Sequence, residues 1–159
     1  FAKSFFPSFV PENAAFWLSQ IPGEESFNAL RILYKKEQNP EMKEKLIFGF
    51  SQHKDSRALS ELKQIARTDR DYEIREKAIF WIGQNDASES LDFLKQLLRE
   101  ADYQEIKEKI VFSISQHNSE RAVKILIDVA QNNRDSDVRE KAIFWLGQMA
   151  SKKSLEILL

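Results

Sequence analysis

Apolar residues recur along this chain at helical spacing, and the whole pattern repeats every 32 residues. The segment 138–148, VREKAIFWLGQ, returns at 74–84 as IREKAIFWIGQ, and diverged copies begin at residues 10, 42 and 106. A fixed period of this length is typical of repeat architectures, in which each unit is one supersecondary motif. We therefore expect residues 1–159 to form a single array of stacked units without one central core.

Each unit contains two predicted helices. The first, over 74–84, carries five successive apolar residues, AIFWI, so neighbouring helices must cover most of its circumference. The second, over 88–99, has an apolar stripe at helical spacing. The stripe consists of Leu91, Leu94, Leu97 and Leu98. No stretch alternates with period two, so the sequence predicts an all-α fold.

Short polar turns separate the helices, and some of their residues are predicted to cap helix starts. Asp55, Ser88 and Ser119 are candidate N-caps, because a side-chain oxygen can accept a hydrogen bond from an amide of the first turn. Pro11 and Pro40 lie at the starts of first helices, where a missing N–H costs little.

Three columns are invariant across the five copies and hold Glu, Phe and Gln. Their i, i+4, i+8 spacing places them along one stripe of the first helix. We expect Glu to favour the positive end of the helix dipole, Phe to fill the joint between repeats, and Gln to bind turn backbone groups. A repeated ligand ladder is the alternative. The columns are Glu12, Glu44, Glu76, Glu108 and Glu140; Phe16, Phe48, Phe80, Phe112 and Phe144; Gln20, Gln52, Gln84, Gln116 and Gln148.

Both ends of the chain fit partial repeats. Residues 1–9 match the register of the last turn of a second helix, and 154–159 cover about half of another. A folded array normally ends in a capping repeat with a polar outer face, which neither end shows. We therefore expect about four full repeats and a partial repeat at each end, as a monomeric fragment of a longer protein.

The repeated segment resembles HEAT repeats, most of all the short bacterial kind also called PBS-lyase HEAT-like. DSDVREKAIFWLGQ at 135–148 carries the match best, with Asp135 and Asp137 in its acidic turn and Arg139 after them. Lys43 and Lys107 replace this arginine in other copies. The resemblance implies a right-handed α/α superhelix, or solenoid, of helical hairpins that holds other proteins. It does not imply one biological role.

Composition argues against several functional classes. Lys and Arg number 24 against 25 Asp and Glu, a net charge of −1, whereas a dedicated nucleic-acid binder carries a basic face. There is no cysteine, and therefore no disulfide or thiolate chemistry. We find no catalytic motif and no phosphate-binding loop, and we expect neither enzymatic activity nor a cofactor. Cytoplasmic and periplasmic locations both remain open.

Histidine and tryptophan are the residues that most invite a functional interpretation. His53 and His117 are 64 residues apart, too far to share one metal ion, and we predict turn residues. Trp17, Trp81 and Trp145 share one column of the first helix, with Gly49 and Ser113 in between. The indoles either interlock with these small residues in the packing or form a row of exposed aromatic anchors.

The polar side of the second helices is the candidate protein-binding surface, because solenoids bind partners along their concave face. Its charges are mixed. Phe93 and Ile125 form either a small apolar patch there or a contact between adjacent second helices. A DNA-repair glycosylase of HEAT type is the alternative function; it resembles this architecture but uses a basic, aromatic-bearing cleft, and every tryptophan here lies on a first helix. The candidate residues are Arg57, Gln64, Asp92, Phe93, Gln96, Lys124, Ile125 and Asp128.

Overall fold

The computed structural model describes residues 13–158, with side chains described up to residue 152. Within that range the chain forms nine helices and no strand, so the predicted all-α repeat solenoid is confirmed. Odd-numbered helices are the first helices of the repeats and even-numbered helices are the second. They are α1 (Ala14–Gln20), α2 (Glu24–Lys36), α3 (Pro40–Gln52), α4 (Arg57–Thr68), α5 (Tyr72–Gly83), α6 (Ser88–Glu100), α7 (Gln104–Gln116), α8 (Glu120–Asn132) and α9 (Ser136–Leu158).

The chain divides into two compact units, Phe1–Leu62 and Lys63–Leu159, with the boundary inside α4. In the described part of the first unit, α1 packs against α2 and α3, and α2 also packs against α3. In the second unit, α5 packs against α6 and α7, and α7 packs against α8 and α9. Both units therefore place first helices side by side and second helices against them.

Apolar residues at the centres of α3, α5 and α7 are buried or half-buried, as their all-round apolar pattern predicts, whereas Ile143 and Phe144 of α9 are 60% and 52% exposed. Ile79 of α5 and Val111 of α7 are fully shielded from solvent. The stripe of α6 is buried as well, with Leu91 and Leu94 fully covered. Burying a side chain of this size contributes about 1.5–3 kcal/mol, so these columns supply much of the driving force for stacking.

Neighbouring first helices approach most closely at small residues. In the second unit, a Cβ atom placed on Gly83 of α5 would lie 2.6 Å from the carbonyl oxygen and 2.7 Å from the Cβ atom of Ser113 in α7. In the first unit, a Cβ atom on Gly49 of α3 would lie 3.2 Å from the carbonyl oxygen of Ala15 in α1. The side chains at a contact set the distance between helix axes, so Gly49 and Ser113 serve as close-approach points.

His53, after α3, and Asn85, two residues after the end of α5, organise the turns that follow these helices. His53 Nδ1 accepts a hydrogen bond from the amide of Asp55 at 3.0 Å, and Asn85 Oδ1 accepts one from the amide of Ala87 at 2.9 Å. His53 Nε2 also lies 3.0 Å from the hydroxyl of Ser26 in α2. His53 is therefore a turn residue, as predicted.

The cap of α8 follows the prediction, whereas the cap of α6 does not. Ser119 Oγ accepts a hydrogen bond from the amide of Ala122 at 3.2 Å, and His117 Nδ1 lies 3.0 Å from the same hydroxyl. The prediction for Ser88 was wrong, because α6 begins at Ser88 itself and Ala87 occupies the cap position.

The fifth copy also departs from expectation, because α9 runs without a break from Ser136 to Leu158. We expected a turn after residue 148. Met149 occupies the column of His53, Asn85 and His117, and its thioether is too weak an acceptor to hold turn amides. Ile21 in the first copy has no acceptor either, but Pro22 and Gly23 follow it and a turn forms there. Met, Ala and Lys also favour helix, so nothing in MASKK interrupts α9. Residues 1–12, which include Pro11, Glu12 and the predicted end of an earlier repeat, lie outside the described residues.

Gly83 and Gly147 share one column and offer a matched test of the close approach. Gly83→Ala should lower the free energy of unfolding by about 1–3 kcal/mol, because its methyl group would meet the backbone of Ser113. Gly147→Ala should be neutral or raise stability by about 0.5–1 kcal/mol, since nothing lies within 4 Å of its Cβ position and alanine favours helix. Urea unfolding followed by circular dichroism measures both, and equal effects would contradict the packing.

Candidate protein-binding surface

The second helices keep most of the predicted surface residues in contact with solvent. Gln64 of α4, Gln96 of α6 and Lys124 of α8 are exposed, and Asp128 of α8 is half-buried. All four, together with exposed Asp92, lie in the second unit, whereas Arg57 lies in the first. The exposed residues of α4, α6 and α8 in the second unit are hereafter called the second-helix face.

Phe93 and Ile125 do not belong to that face. Phe93 is only 7% exposed and Ile125 only 6%. The Nζ atom of Lys63 lies 5.9 Å from the centre of the Phe93 ring, and the Arg67 guanidinium carbon lies 5.0 Å from it. Phe93 is thus buried against side chains of the adjacent helix α4, and Ile125 is buried as well, so neither is an accessible candidate.

Ion pairs link successive second helices in the second unit. Arg67 of α4 contacts Glu100 of α6 at 3.2 Å, and Lys95 of α6 contacts Asp128 of α8 at 3.5 Å. The partners are 33 positions apart, one repeat plus one residue. Each such pair at a partly exposed site contributes about 0–1 kcal/mol, so the pairs set charge placement more than stability. Two further pairs join Lys63 to Glu89 and Arg121 to Asp92.

Arg57 is already engaged within the first unit. Its Nε and Nη2 atoms donate to the two carboxylate oxygens of Asp55, at 3.0 and 2.8 Å, and Nη1 reaches Glu24 at 3.2 Å. The guanidinium carbon also lies 4.6 Å from the centre of the Phe27 ring. These hydrogen bonds lower the pKa of Asp55 to about 2, and the same bond with Asp55 raises the pKa of Arg57.

Two carboxylates of the second unit are also held in their ionised form. A hydrogen bond from Asn132, helped by the charge of Lys95, lowers the pKa of Asp128. A hydrogen bond from Lys107, 3.0 Å away, lowers the pKa of Asp135. Both groups therefore carry a full negative charge at neutral pH, each with a lysine beside it.

The invariant glutamates have a role that the sequence did not indicate. Lys109 of α7 pairs with Glu76 of α5 at 3.7 Å, and Lys141 of α9 pairs with Glu108 of α7 at 3.1 Å. The lysine follows the glutamate by 33 positions in both cases. In the second unit, Glu76 and Glu108 are therefore each linked to the next repeat by an ion pair, in addition to any interaction with the helix dipole.

Of the invariant phenylalanines, Phe80 and Phe112 lie in the joints between repeats, as expected, whereas Phe16 and Phe144 are 45% and 52% exposed. In the second unit the rings of Phe80 and Phe112 are stacked with centroids 6.4 Å apart, and Phe112 lies 4.8 Å from Trp145. The invariant glutamines differ from expectation. Gln52 and Gln116 donate to the hydroxyl of the preceding serine rather than to turn backbone groups.

The three tryptophans have different surroundings. Trp145 is half-buried between Phe112 and Phe144, and Trp81 is half-buried with Phe80 at its edge. Trp17 of α1 is 63% exposed. The structure therefore packs Trp81 and Trp145 into the first-helix layer of the second unit and leaves Trp17 open to solvent.

A cavity that the sequence did not indicate lies in the second unit. It measures about 550 Å³ and is bordered by the end of α6, the start of α7, the end of α8 and the loop before α9. Lys95 and Asp128 line it, so it is continuous with the second-helix face. The sequence difference that bears on it is Asn132, which stands where the preceding repeat has Glu100.

Among the described residues no group of His, Cys, Asp or Glu is arranged to hold a metal ion, and no helix is long and apolar enough to span a membrane.

Comparison with protein families agrees with the repeat pattern. The family model for HEAT repeats matches residues 27–114 and again residues 91–159. A search of the curated proteins finds no match.

The Asp55–Arg57 contact predicts a dependence on pH. Because the folded state lowers the pKa of Asp55 from 3.8 to about 2, the stabilisation is fully present above the ordinary pKa. It is lost as the pH falls from that value to the lowered one. Arg57→Ala should raise the pKa of Asp55 part of the way towards its ordinary value of 3.8. The recovery is partial because the backbone amide of residue 57 still donates a hydrogen bond to Asp55 Oδ1. A ¹³C NMR titration of the Asp55 carboxyl measures the shift.

Arg121→Ala is the control for this titration, because it removes a surface guanidinium that pairs with Asp92 and not with Asp55. The Asp55 titration should not move in this variant. An unshifted titration of Asp55 in the parent protein would contradict the ion pair.

Proposed function

We propose that this chain, which belongs to the HEAT-repeat family, is a non-enzymatic scaffold that binds another protein through its second-helix face. HEAT repeats generally mediate protein–protein interaction, and the family is typically non-enzymatic. The proposal adds a location to that general role. The face is assigned to the second unit alone, with Gln64, Asp92, Gln96, Lys124 and Asp128 as its candidate contacts.

The observation that supports this location most directly is the separation of apolar from polar side chains on the second helices. The apolar stripe and the border residues Phe93 and Ile125 are buried. The exposed side in the second unit is therefore polar except for Ile127 of α8, which is 41% exposed. Its carboxylates lie beside basic groups of adjacent helices, as in Lys95 with Asp128. Interfaces that form and dissociate are of this mixed polar kind, with hydrogen bonds over a rigid surface.

A DNA-repair glycosylase has less support. Its cleft would need a row of basic side chains that remain available to phosphates. Lys63, Arg67, Lys95 and Arg121 instead contact carboxylates on neighbouring second helices. The tryptophans, which would stack on bases, lie on first helices.

The proposal predicts that three exposed side chains contribute to partner binding. A triple variant, Gln64→Ala, Gln96→Ala and Lys124→Ala, should keep its helical circular dichroism and unfolding midpoint, because all three residues are exposed. A partner captured from lysate by the parent chain should bind this variant at least about tenfold more weakly, since it loses hydrogen bonds and one charge at the interface. Biolayer interferometry with the purified partner measures the change.

The matched control changes the same residue types on first helices: Gln84→Ala, Gln116→Ala and Lys141→Ala, all at exposed positions. This control should bind the partner like the parent. If the control loses the partner and the second-helix variant retains it, the contact lies on the first helices and the proposal fails. Trp17 would then be the residue to test.

A further inference from the structure

The cavity of about 550 Å³ between α6, α7 and α8 has the size of a ligand-binding pocket. We call it the α6–α8 pocket. Its wall combines four basic residues, two carboxylates, two asparagines and three apolar residues. They are Lys95, Arg99, Lys107, Arg134, Asp128, Asp135, Asn132, Asn133, Leu98, Ala101 and Val129.

Arg99 is available in this pocket because of one change in the repeat. One repeat earlier, Arg67 occupies the same column, and its guanidinium contacts Glu100 of the next second helix at 3.2 Å. The residue equivalent to Glu100 is Asn132, whose amide donates instead to Asp128 at 2.9 Å. Among the described residues, Arg99 therefore forms no ion pair.

Arg134 adds a second available guanidinium. It stands where the preceding repeat has Asp102, and within the described range its side chain forms no ion pair either. Its backbone is fixed, since Arg139 Nη1 donates to the carbonyl oxygens of Asn133 at 2.8 Å and of Arg134 at 3.1 Å. The loop thus presents Arg134 from a held position.

The pocket has excess positive charge. Its four basic residues exceed its two carboxylates by two charges. The carboxylates are each held by a lysine, Asp128 by Lys95 at 3.5 Å and Asp135 by Lys107 at 3.0 Å. The excess therefore resides on Arg99 and Arg134, and guanidinium groups bind carboxylates through two parallel hydrogen bonds.

The floor of the pocket is apolar and contains no aromatic ring. Leu98 and Val129, each 6% exposed, are buried beneath it. A nucleic acid offers such a floor little beyond the thymine methyl group and the sugar carbons, and its unpaired bases bind proteins largely by stacking on aromatic side chains. A peptide can supply both an aliphatic side chain and carboxylates. The chemistry of the wall therefore fits a peptide better than a nucleic acid.

We infer that the α6–α8 pocket binds an acidic segment of the partner protein, with carboxylates on Arg99 and Arg134 and an aliphatic side chain over Leu98 and Val129. The inference rests on the proposed function, because the pocket is continuous with the second-helix face. It states which chemistry on the partner this part of the face recognises.

The test introduces, at two positions of the pocket, the residues that the preceding repeat has at the equivalent positions. Asn132→Glu supplies Arg99 with the partner that Arg67 has, and Arg134→Asp installs the residue found at Asp102. The control is Asn118→Glu with Arg70→Asp, which makes the same chemical changes, and the same change in net charge, at exposed positions of the second unit outside the pocket.

Random dodecapeptides displayed on phage are selected on the immobilised parent chain, and the enriched peptides are synthesised with a fluorescein label. We expect peptides that contain at least two Asp or Glu residues together with an aliphatic residue. By fluorescence polarisation their affinity should fall at least about tenfold for the pocket variant and by less than about twofold for the control. Asn132→Glu alone should give an intermediate loss.

The inference is overturned if no peptide is enriched, if the enriched peptides are not acidic, or if both double variants lose binding equally. It is overturned in favour of a phosphate site if millimolar inorganic phosphate or a thymidine oligonucleotide displaces the peptide from the parent. Loss of the protein partner in the Gln64, Gln96 and Lys124 variant, combined with failed peptide selection, would keep the proposed function and reject the pocket. If acidic peptides require the pocket but the triple variant still binds the protein partner normally, the pocket is supported and the second-helix face is rejected as the partner site.

Discussion

The distance between neighbouring first helices is the constraint on which the other contacts depend. Gly83 and Ser113 let the backbones of α5 and α7 meet, which brings the rings of Phe80 and Phe112 into a stack. The same register places Glu76 within reach of Lys109 and Glu108 within reach of Lys141, each 33 positions later. Close approach at two small residues thus supports a layer of rings and a row of charges.

Most of the fold could be predicted from the sequence because the apolar positions of the helices recur with a constant period of 32 residues. Five apolar residues in succession require cover on all sides, and only neighbouring helices provide it. The partners of the polar residues were harder to predict. Whether Lys141 reaches Glu108 depends on the offset between adjacent helices, which a one-dimensional pattern does not contain.

The errors in prediction have local physical causes. The turn expected after residue 148 has neither an acceptor at position 149 nor a Pro-Gly pair like the one that follows Ile21 in the first copy, so α9 continues. Phe93 and Ile125 lie at the border of the apolar stripe of the second helices. At that border a small rotation of the helix determines whether a side chain is buried or exposed to solvent. Basic side chains from the adjacent helix lie over Phe93. The sequence was sufficient to assign the candidate surface to the second helices. It was not sufficient to identify the unpaired charges on that surface, because these depend on which arginines lack a carboxylate partner on the adjacent second helix.

The alternation of large and small residues in the tryptophan column gives the second unit two kinds of joint. Ser113 meets Gly83 directly, whereas Trp145 and Ser115 border a cavity of about 240 Å³. A tandem array that gained or lost one 32-residue copy would place two indoles, or two small residues, in successive positions of this column. Gain or loss of 64 residues would preserve the order. The packing of this column therefore repeats over a pair of hairpins, and we expect changes in array length that keep it intact to occur in steps of two.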